Sequence, residues 1–419
     1  MKMPKALVYS RFTSGHRQIY CNVLGRYLLA RGFQVVFAVG RPWELPQENM
    51  ERALPLIECF RSDIRAQIEY FFDATVTDNE KELEHIQHLN AKHHIDLNIF
   101  ADADVLRRAL SEHLRTKGET AIEGCSFLIF LRLESLDPVF VSKFDGRSII
   151  PILIKLRKCA GDFWFFRHVL PKCIPKSQVF VLDPRFARHY CRSSKSHWLP
   201  DICAPFDFDL KAHLRQDMLF EKLQKFLFKN KDMHTILYFG TNYLRKGYEW
   251  LLTLVHEYPD LVFLHCGRLA ELKGMPQKAL NVRNDLLKEG RIFETKEFII
   301  DNRIIDSAFE SCAYVLLPYS QHYGSSGIMI QAASYGKPVV VPRGGLMAYW
   351  VREYGFGLTY EPESYEDFVC KFHLMDKQWR CYAPLALDFS RLFSRENVYR
   401  VFDDALGRIG YIDFDRKQE

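Results

Sequence analysis

Between Tyr319 and Gly345 the chain reads YSQHYGSSGIMIQAASYGKPVVVPRGG. Gly324, Ser325, Ser326 and Gly327 are four small residues placed directly before a helical pattern. Small residues leave backbone N–H groups uncovered, and a helix that starts there presents its positive end. The loop therefore has the chemistry of an anion site. Its plainer reading is a helix entry capped by Ser326. Gly344 and Gly345 make a second backbone turn after the next apolar run, which by itself is a simple turn. Upstream, GTNYLRKG (Gly240–Gly247) holds Arg245 and Lys246 just before another helical pattern. Adjacent cations there would neutralise a diphosphate, or they are an ordinary solvated pair. Their spacing is not that of a P-loop, which needs G-x-x-x-x-G-K-[ST]. His16 opens the first helical pattern of the chain, where it would assist proton transfer or hold a substrate hydroxyl. The alternative for a lone histidine is a capping or solvated role.

These residues need a scaffold that brings distant loops to one place. The first 40 residues form a β-α-β pattern. Ala6–Tyr9 is a short apolar strand, Thr13–Gly15 a turn, His16–Arg31 a helix closed by Gly32, and Gln34–Val39 a strand buried on both faces. The rhythm recurs at Ile95–Phe100, Ser126–Leu133, Ile149–Ile154 and Gln178–Leu182. A second series starts with HTILYF (His234–Phe239) and a helix over Tyr248–Glu257. It continues through LVFLHCG (Leu261–Gly267), a helix after Asp301, YVLLPY (Tyr314–Tyr319) and PVVVP (Pro338–Pro342). Such alternation predicts an α/β protein of two doubly wound, Rossmann-like domains. The boundaries fall at residues 1–200 and 201–390, with the hinge near residues 197–210. A strongly amphipathic helix over Val398–Ile409 lies in the remaining segment, residues 391–419, and either packs on the second domain or returns to the first.

Length and composition agree with this division. A chain of 419 residues exceeds one ordinary core, and 48% hydrophobic with 26% charged residues is a globular balance. The net charge of +5 suits an anionic substrate and is too weak to indicate nucleic acid, so no nucleic-acid partner is expected. Eleven cysteines without a C-x-x-C pair predict reduced thiols and a cytoplasmic location. No apolar run is long enough to span a membrane, and the N-terminus lacks a signal-peptide core.

In open α/β sheets, ligands bind outside the C-terminal ends of the strands. In the second domain that rule gathers Thr241–Gly247, Gly267–Arg268, Ser320–Gly327 and Arg343–Leu346 on one sheet edge, facing a central cleft. From the first domain it brings Arg11–His16 and the loop holding Glu134 and Asp137. The convergence predicts a phosphorylated, nucleotide-bearing ligand. A separate stretch, Ile150–Lys172, mixes Lys155, Arg157, Lys158, Arg167 and Lys172 with Phe163, Trp164, Phe165 and Phe166. It is either a peripheral membrane contact or a core strand followed by a buried aromatic helix.

The second half resembles the nucleotide-sugar-binding domain of the retaining GT-B glycosyltransferases of the family-4-like group. The resemblance rests on ILYFGTNYLRKG (Ile236–Gly247), DSAFESCAYVLLPY (Asp306–Tyr319) and GSSGIMIQAASYGKPVVVPRGGLMAYWVREYGFGLTY (Gly324–Tyr360). The first domain matches only through SGHRQIYCNVLGRYLLARGFQVVFAVG (Ser14–Gly40). The resemblance implies a GT-B fold, a nucleotide-diphosphate sugar as donor substrate (UDP- before GDP-), no separate cofactor and no metal. Consistent with that, no D-x-D run stands at a convincing strand end, and Asp102–Asp104 starts a helix. The acceptor would be a glycan, a lipid-linked sugar or a protein.

The resemblance also implies residue roles. Lys246 matches the lysine that contacts the donor diphosphate. Thr241 stands where the family has an arginine, a place Arg245 would fill. Gly324–Gly327 match the loop whose amides hold the distal phosphate, with Gly240, Gly344 and Gly345 beside it. Two glutamates normally flank that loop; here the positions are Tyr323 and Gln331. Gln331 still offers hydrogen bonds to ribose hydroxyls, but neither residue carries charge. The competing reading is therefore a catalytically silent GT-B protein acting as a sugar-nucleotide sensor or complex subunit.

Overall fold

The computed structural model describes residues 3–12, 17–41, 54–72, 79–131, 133, 157–158, 160–190, 195–202, 216–269, 272, 274–297, 299, 301–320 and 322–411. The chain divides into two compact units, Met1–Ile202 with Arg395–Glu419, and Cys203–Ser394.

Unit 1 is built on a parallel sheet of seven strands: β1 (Lys5–Ser10), β2 (Gln34–Arg41), β3 (Ala66–Phe72), β4 (Leu97–Phe100), β5 (Cys125–Phe130), β6 (Ser177–Val181) and β7 (Ser196–Trp198). The order is β3-β2-β1-β4-β5-β6-β7, so the winding direction reverses between β1 and β4. β4 and β6 are buried at every position, as expected of strands covered on both faces. Helix α1 (Arg17–Ala30) follows β1 and ends at Gly32, whose φ of 81° suits glycine after a helix. Helices α2 (Asn79–His93) and α3 (Leu106–Thr116) flank β4 in the chain. Asp102 and Asp104 are committed to structure there. Asp102 pairs with Arg17 at 2.6 Å, and Asp104 accepts the Leu131 N–H at 2.8 Å.

The described part of Ile150–Lys172 is helical, with a π-helical turn over Phe165–Val169. Phe165 and Val169 are buried in the unit 1 core, while Phe163 and Trp164 are exposed. The strand expected at Ile149–Ile154 lies outside the described residues, as do Thr13–His16, Glu134 and Asp137.

Unit 2 carries two three-stranded parallel sheets. One is β10-β9-β8, from β8 (His234–Phe239), β9 (Leu261–Cys266) and β10 (Ile292–Glu294). The other is β11-β12-β13, from β11 (Val315–Leu316), β12 (Val339–Pro342) and β13 (Gly357–Tyr360). They adjoin where β11 runs beside β8, giving a second doubly wound order with its reversal between those strands. Its helices are α4 (Asp217–Lys229), α5 (Tyr248–Glu257), α6 (Gln277–Glu289), α7 (Asn302–Glu310), α8 (Gly327–Ser334), α9 (Gly345–Tyr354) and α10 (Tyr365–Ser390). β11 is shorter than the apolar run Tyr314–Tyr319 predicts. Pro318 has no N–H to donate, and Tyr319 N–H turns back to the Leu317 carbonyl at 2.8 Å, which ends the ladder.

The last helix, α11 (Arg395–Arg408), packs into unit 1 through the apolar stripe visible in its sequence. Phe402 is fully buried against Phe127 and Phe180. Asp403 accepts hydrogen bonds from Tyr27 at 2.8 Å and Arg31 Nε at 2.7 Å.

Candidate functional site

The site is assembled at the C-terminal ends of β8, β9, β11 and β12, around the reversal point of unit 2. β8 ends at Gly240, whose φ is 96°. The turn after β9 comes so close that a Cβ on Gly267 would lie 2.2 Å from the Gly240 carbonyl oxygen. His265 of β9 braces the same carbonyl, with Nε2 at 3.0 Å. A carbonyl only accepts, so Nε2 carries the proton. Burial pushes this imidazole down to about 4, which keeps it neutral.

After Gly240 the chain makes a 3₁₀ turn over Leu244–Lys246 and ends it at Gly247 (φ 65°). A Cβ there would lie 2.2 Å from the Pro318 carbonyl oxygen, so the turn sits directly on the strand-end segment after β11. Ser320 N–H donates to the Arg245 carbonyl at 2.7 Å and locks the two together. The turn thereby holds Arg245 and Lys246 at the reversal point.

Lys246 keeps part of its surface exposed, but its ammonium is enclosed, 5.9 Å from the ring centroids of both Tyr243 and Tyr319. Loss of solvation, with Arg245 as the second cause, pushes its pKa down to about 8. Among the described residues no carboxylate pairs with it. A buried unpaired charge is costly, and such groups are normally paired with an opposite charge.

Arg245 is exposed and also lacks a carboxylate partner among the described residues. Its Nη1 stands 3.1 Å from His322 Nδ1, and His322 Nε2 stands 3.0 Å from the Ser325 carbonyl oxygen. Guanidinium only donates and carbonyl only accepts, so His322 carries its proton on Nε2. Burial first, and then Arg245, push this imidazole down to about 4.

The GSSG loop follows. Ser326 caps α8, its hydroxyl accepting from Met329 N–H at 3.4 Å. Gly327 and Ile328 occupy the first turn, where amides have no intrahelical acceptor. The Ser325 hydroxyl is buried without a hydrogen-bond partner. Gly345 (φ 73°) would place a Cβ 2.6 Å from Tyr323 Cα, and Leu346 N–H donates to the Tyr323 carbonyl at 2.8 Å. A Cβ on Gly344, by contrast, would meet open space. Arg343 beside them is already matched by Glu361 at 2.8 Å. Gln331 is half-buried on α8, and its amide has no side-chain partner among the described residues.

One edge of unit 2 thus collects Gly240, Arg245, Lys246, Gly324–Gly327, Gly344 and Gly345, with Gln331 a turn further along α8. His16 lies outside the described residues. Two residues that connect these parts, His265 and His322, escape the sequence reading. His265 left a trace as the one polar side chain in the apolar run LVFLHC, and His322 stood unremarked three residues before Ser325. Chemically, the edge offers two cations with no carboxylate counter-charge among the described residues, a buried hydroxyl without a partner among them, and the start of a helix. It is suited to a polyanion such as a diphosphate.

No protein-family model and no curated protein matches the sequence. Solved structures do match over nearly the whole chain. Anabaena Alr3699/HepE in complex with UDP aligns at TM-score 0.62 and 12% identity, covering 97% of this chain and 100% of that one. The fold is GT-B. A glycosyltransferase from Rickettsia africae ESF-5 aligns at TM-score 0.59 and 15% identity, over 97% of each chain. The UDP-GlcNAc 2-epimerase from Neisseria meningitidis, bound to UDP-GlcNAc, aligns at 0.56 and 13%, over 97% and 100%. Identities this low establish the GT-B architecture, which hosts transferases and an epimerase alike. Among the described residues, no helix is long and apolar enough to cross a membrane.

Proposed function

We propose that this chain is a glycosyltransferase that takes a nucleotide-diphosphate sugar, UDP- before GDP-linked, and holds its diphosphate at the β8–β11 edge of unit 2. The observation that carries this reading is Lys246: an enclosed ammonium with a lowered pKa, beside a second cation, without a carboxylate among the described residues. A protein keeps such a charge unpaired where a ligand supplies the counter-charge. UDP and UDP-sugars in structures of the same fold support the choice of ligand.

In the reaction the bond between the anomeric carbon and the diphosphate oxygen breaks, its electron pair leaving with the diphosphate. An acceptor hydroxyl oxygen forms the new bond to that carbon. Lys246, Arg245 and the amides at the start of α8 stabilise the charge that develops on the leaving group, as preorganised donors do. The hydroxyl proton passes to a donor phosphate oxygen, which supports retention of configuration and needs neither a carboxylate base nor a metal. His16 holds the acceptor hydroxyl or assists its proton, and Gln331 hydrogen-bonds the ribose. The acceptor is a glycan, a lipid-linked sugar or a protein. Exposed Phe163 and Trp164 beside exposed Arg167 and Lys172 support a peripheral membrane contact.

Tyr323 and Gln331, where the resemblance expects carboxylates, favour the second reading, a sugar-nucleotide-binding protein without turnover. Incubation with UDP-, GDP- and ADP-sugars and candidate acceptors separates the two. Released nucleotide with a new glycoside, lost in Lys246→Ala, supports the transferase. Tight binding of a donor with no turnover supports the sensor, and a changed free sugar nucleotide would point to epimerase chemistry. Failure of every nucleotide to bind would refute both main readings.

A further inference from the structure

Among the described residues, His322 is the side chain that touches both the Arg245 turn and the GSSG loop through hydrogen bonds, and its contacts are of a particular kind. Arg245 donates to Nδ1 at 3.1 Å, and Nε2–H donates to the Ser325 carbonyl at 3.0 Å. The ring also meets the edge of Tyr319 at 5.3 Å, which limits its rotation. The charged groups acting on it are Arg245 and Lys246, both cations, and both act to keep it neutral. This ring, two residues before the small-residue run Gly324–Gly327, is enclosed and has both nitrogens satisfied.

We propose that His322 is a positioning residue for the diphosphate, a neutral acceptor that orients the Arg245 guanidinium while leaving its full charge to the ligand. The inference rests on the proposed function and adds a role to a residue which that reading leaves unused. A carboxylate at this place would hold Arg245 more firmly, since charge-assisted bonds are the stronger. It would also cancel the charge the diphosphate needs. An exposed arginine with no partner would keep its charge but spread over many rotamers, and ordering it would fall on ligand binding. A neutral imidazole avoids both losses.

Its second bond acts on the loop. In a trans peptide the carbonyl and the following N–H point in opposite directions. With the Ser325 carbonyl tied to His322, the Ser326 N–H is turned away from the imidazole and held there. One ring therefore sets a side-chain donor and a backbone donor together.

The test is titration of the full chain with UDP, and separately with uridine, which lacks the diphosphate. In His322→Ala, UDP affinity is expected to fall about tenfold with uridine affinity unchanged. In His322→Gln, the amide oxygen can accept from Arg245 and the amide N–H can donate to Ser325, so UDP affinity is expected to return to within about threefold of wild type. In His322→Glu, the new carboxylate neutralises Arg245 and cannot donate to Ser325, so the loss is at least as large as in His322→Ala. Wild-type-like UDP binding by His322→Ala or His322→Glu overturns the proposal. So does an equal loss for uridine, which marks general loop damage, or a failure of His322→Gln to recover. These outcomes leave the proposed function standing; a wild-type chain that binds no UDP sinks that reading and this inference together.

Discussion

Replacing Lys246 by methionine should make the empty protein more stable and a worse nucleotide binder. Methionine has similar length and no charge. The ammonium's pKa falls from an ordinary 10.5 to about 8, chiefly because its solvation is lost. A tenfold change in proton affinity is worth about 1.4 kcal/mol, so the full displacement is about 3 kcal/mol against folding. Partial exposure of the residue trims the expected gain in Lys246→Met to roughly 1–3 kcal/mol at pH 7. The native pKa lies below the unfolded one, so the unfolded chain binds more protons between pH 8 and 10.5. The penalty is therefore complete below about pH 8 and disappears as pH rises toward 10.5. Thermal unfolding without ligand should show the variant several degrees higher at pH 7, at about 2–4 °C per kcal/mol. The two curves should converge by pH 10.5. Adding UDP should raise the wild-type transition much more than that of the variant. A variant less stable than wild type at pH 7, or one that is still protected by UDP to the same degree, would refute the reasoning.

Phe402→Ala removes a fully buried ring packed against Phe127 and Phe180 and should destabilise unit 1 by roughly 3–5 kcal/mol. Denaturant unfolding followed by hydrogen exchange would find the loss in unit 1, while UDP affinity of the remaining folded protein stays near wild type. Gly247→Ala places a Cβ 2.2 Å from the Pro318 carbonyl oxygen at a φ of 65°. The strained backbone alone is worth about 1–2 kcal/mol, and relief of the clash moves the turn that carries Arg245 and Lys246. Both the denaturation midpoint and UDP affinity should fall, and an unchanged midpoint would contradict the close approach.

The long periodic segments could be read from the sequence with little loss. His234–Phe239 and Tyr248–Glu257 are strand and helix over the expected residues, and Ala6–Tyr9 and Gln34–Val39 each extend by only one or two residues. Ser196–Trp198 overlaps the start of the hinge expected near residues 197–210 but pairs with β6 as a seventh strand. Three residues are too few to show a period. β10 is equally short, and β13, a sheet-edge strand only half-buried over Gly357–Thr359, shows no continuous apolar run. β3, at the sheet edge, mixes Gln67 and Glu69 with apolar residues, and only pairing with β2 makes it a strand.

The GSSG loop, the Arg245–Lys246 pair and the Gly344–Gly345 turn were legible as candidate chemistry because small residues and cations before helices have local meaning. Their electrostatic state was not. Whether Lys246 has a counter-charge depends on residues brought in by β11 and α8, roughly 70–80 positions away along the chain. The role of His322 depends on which two polar groups meet its ring, and burial decides its charge.

By itself, the sequence determined the alternation of strands and helices, and with it two doubly wound units. Hydrophobic period and helix-end chemistry act over a few residues, so they survive in a linear reading. Only the tertiary structure decided that the two cations stand without a carboxylate among the described residues and that one of them donates to a histidine ring instead. Desolvation and pairing are properties of the groups that surround a charge in space, and those come from every part of the sheet edge.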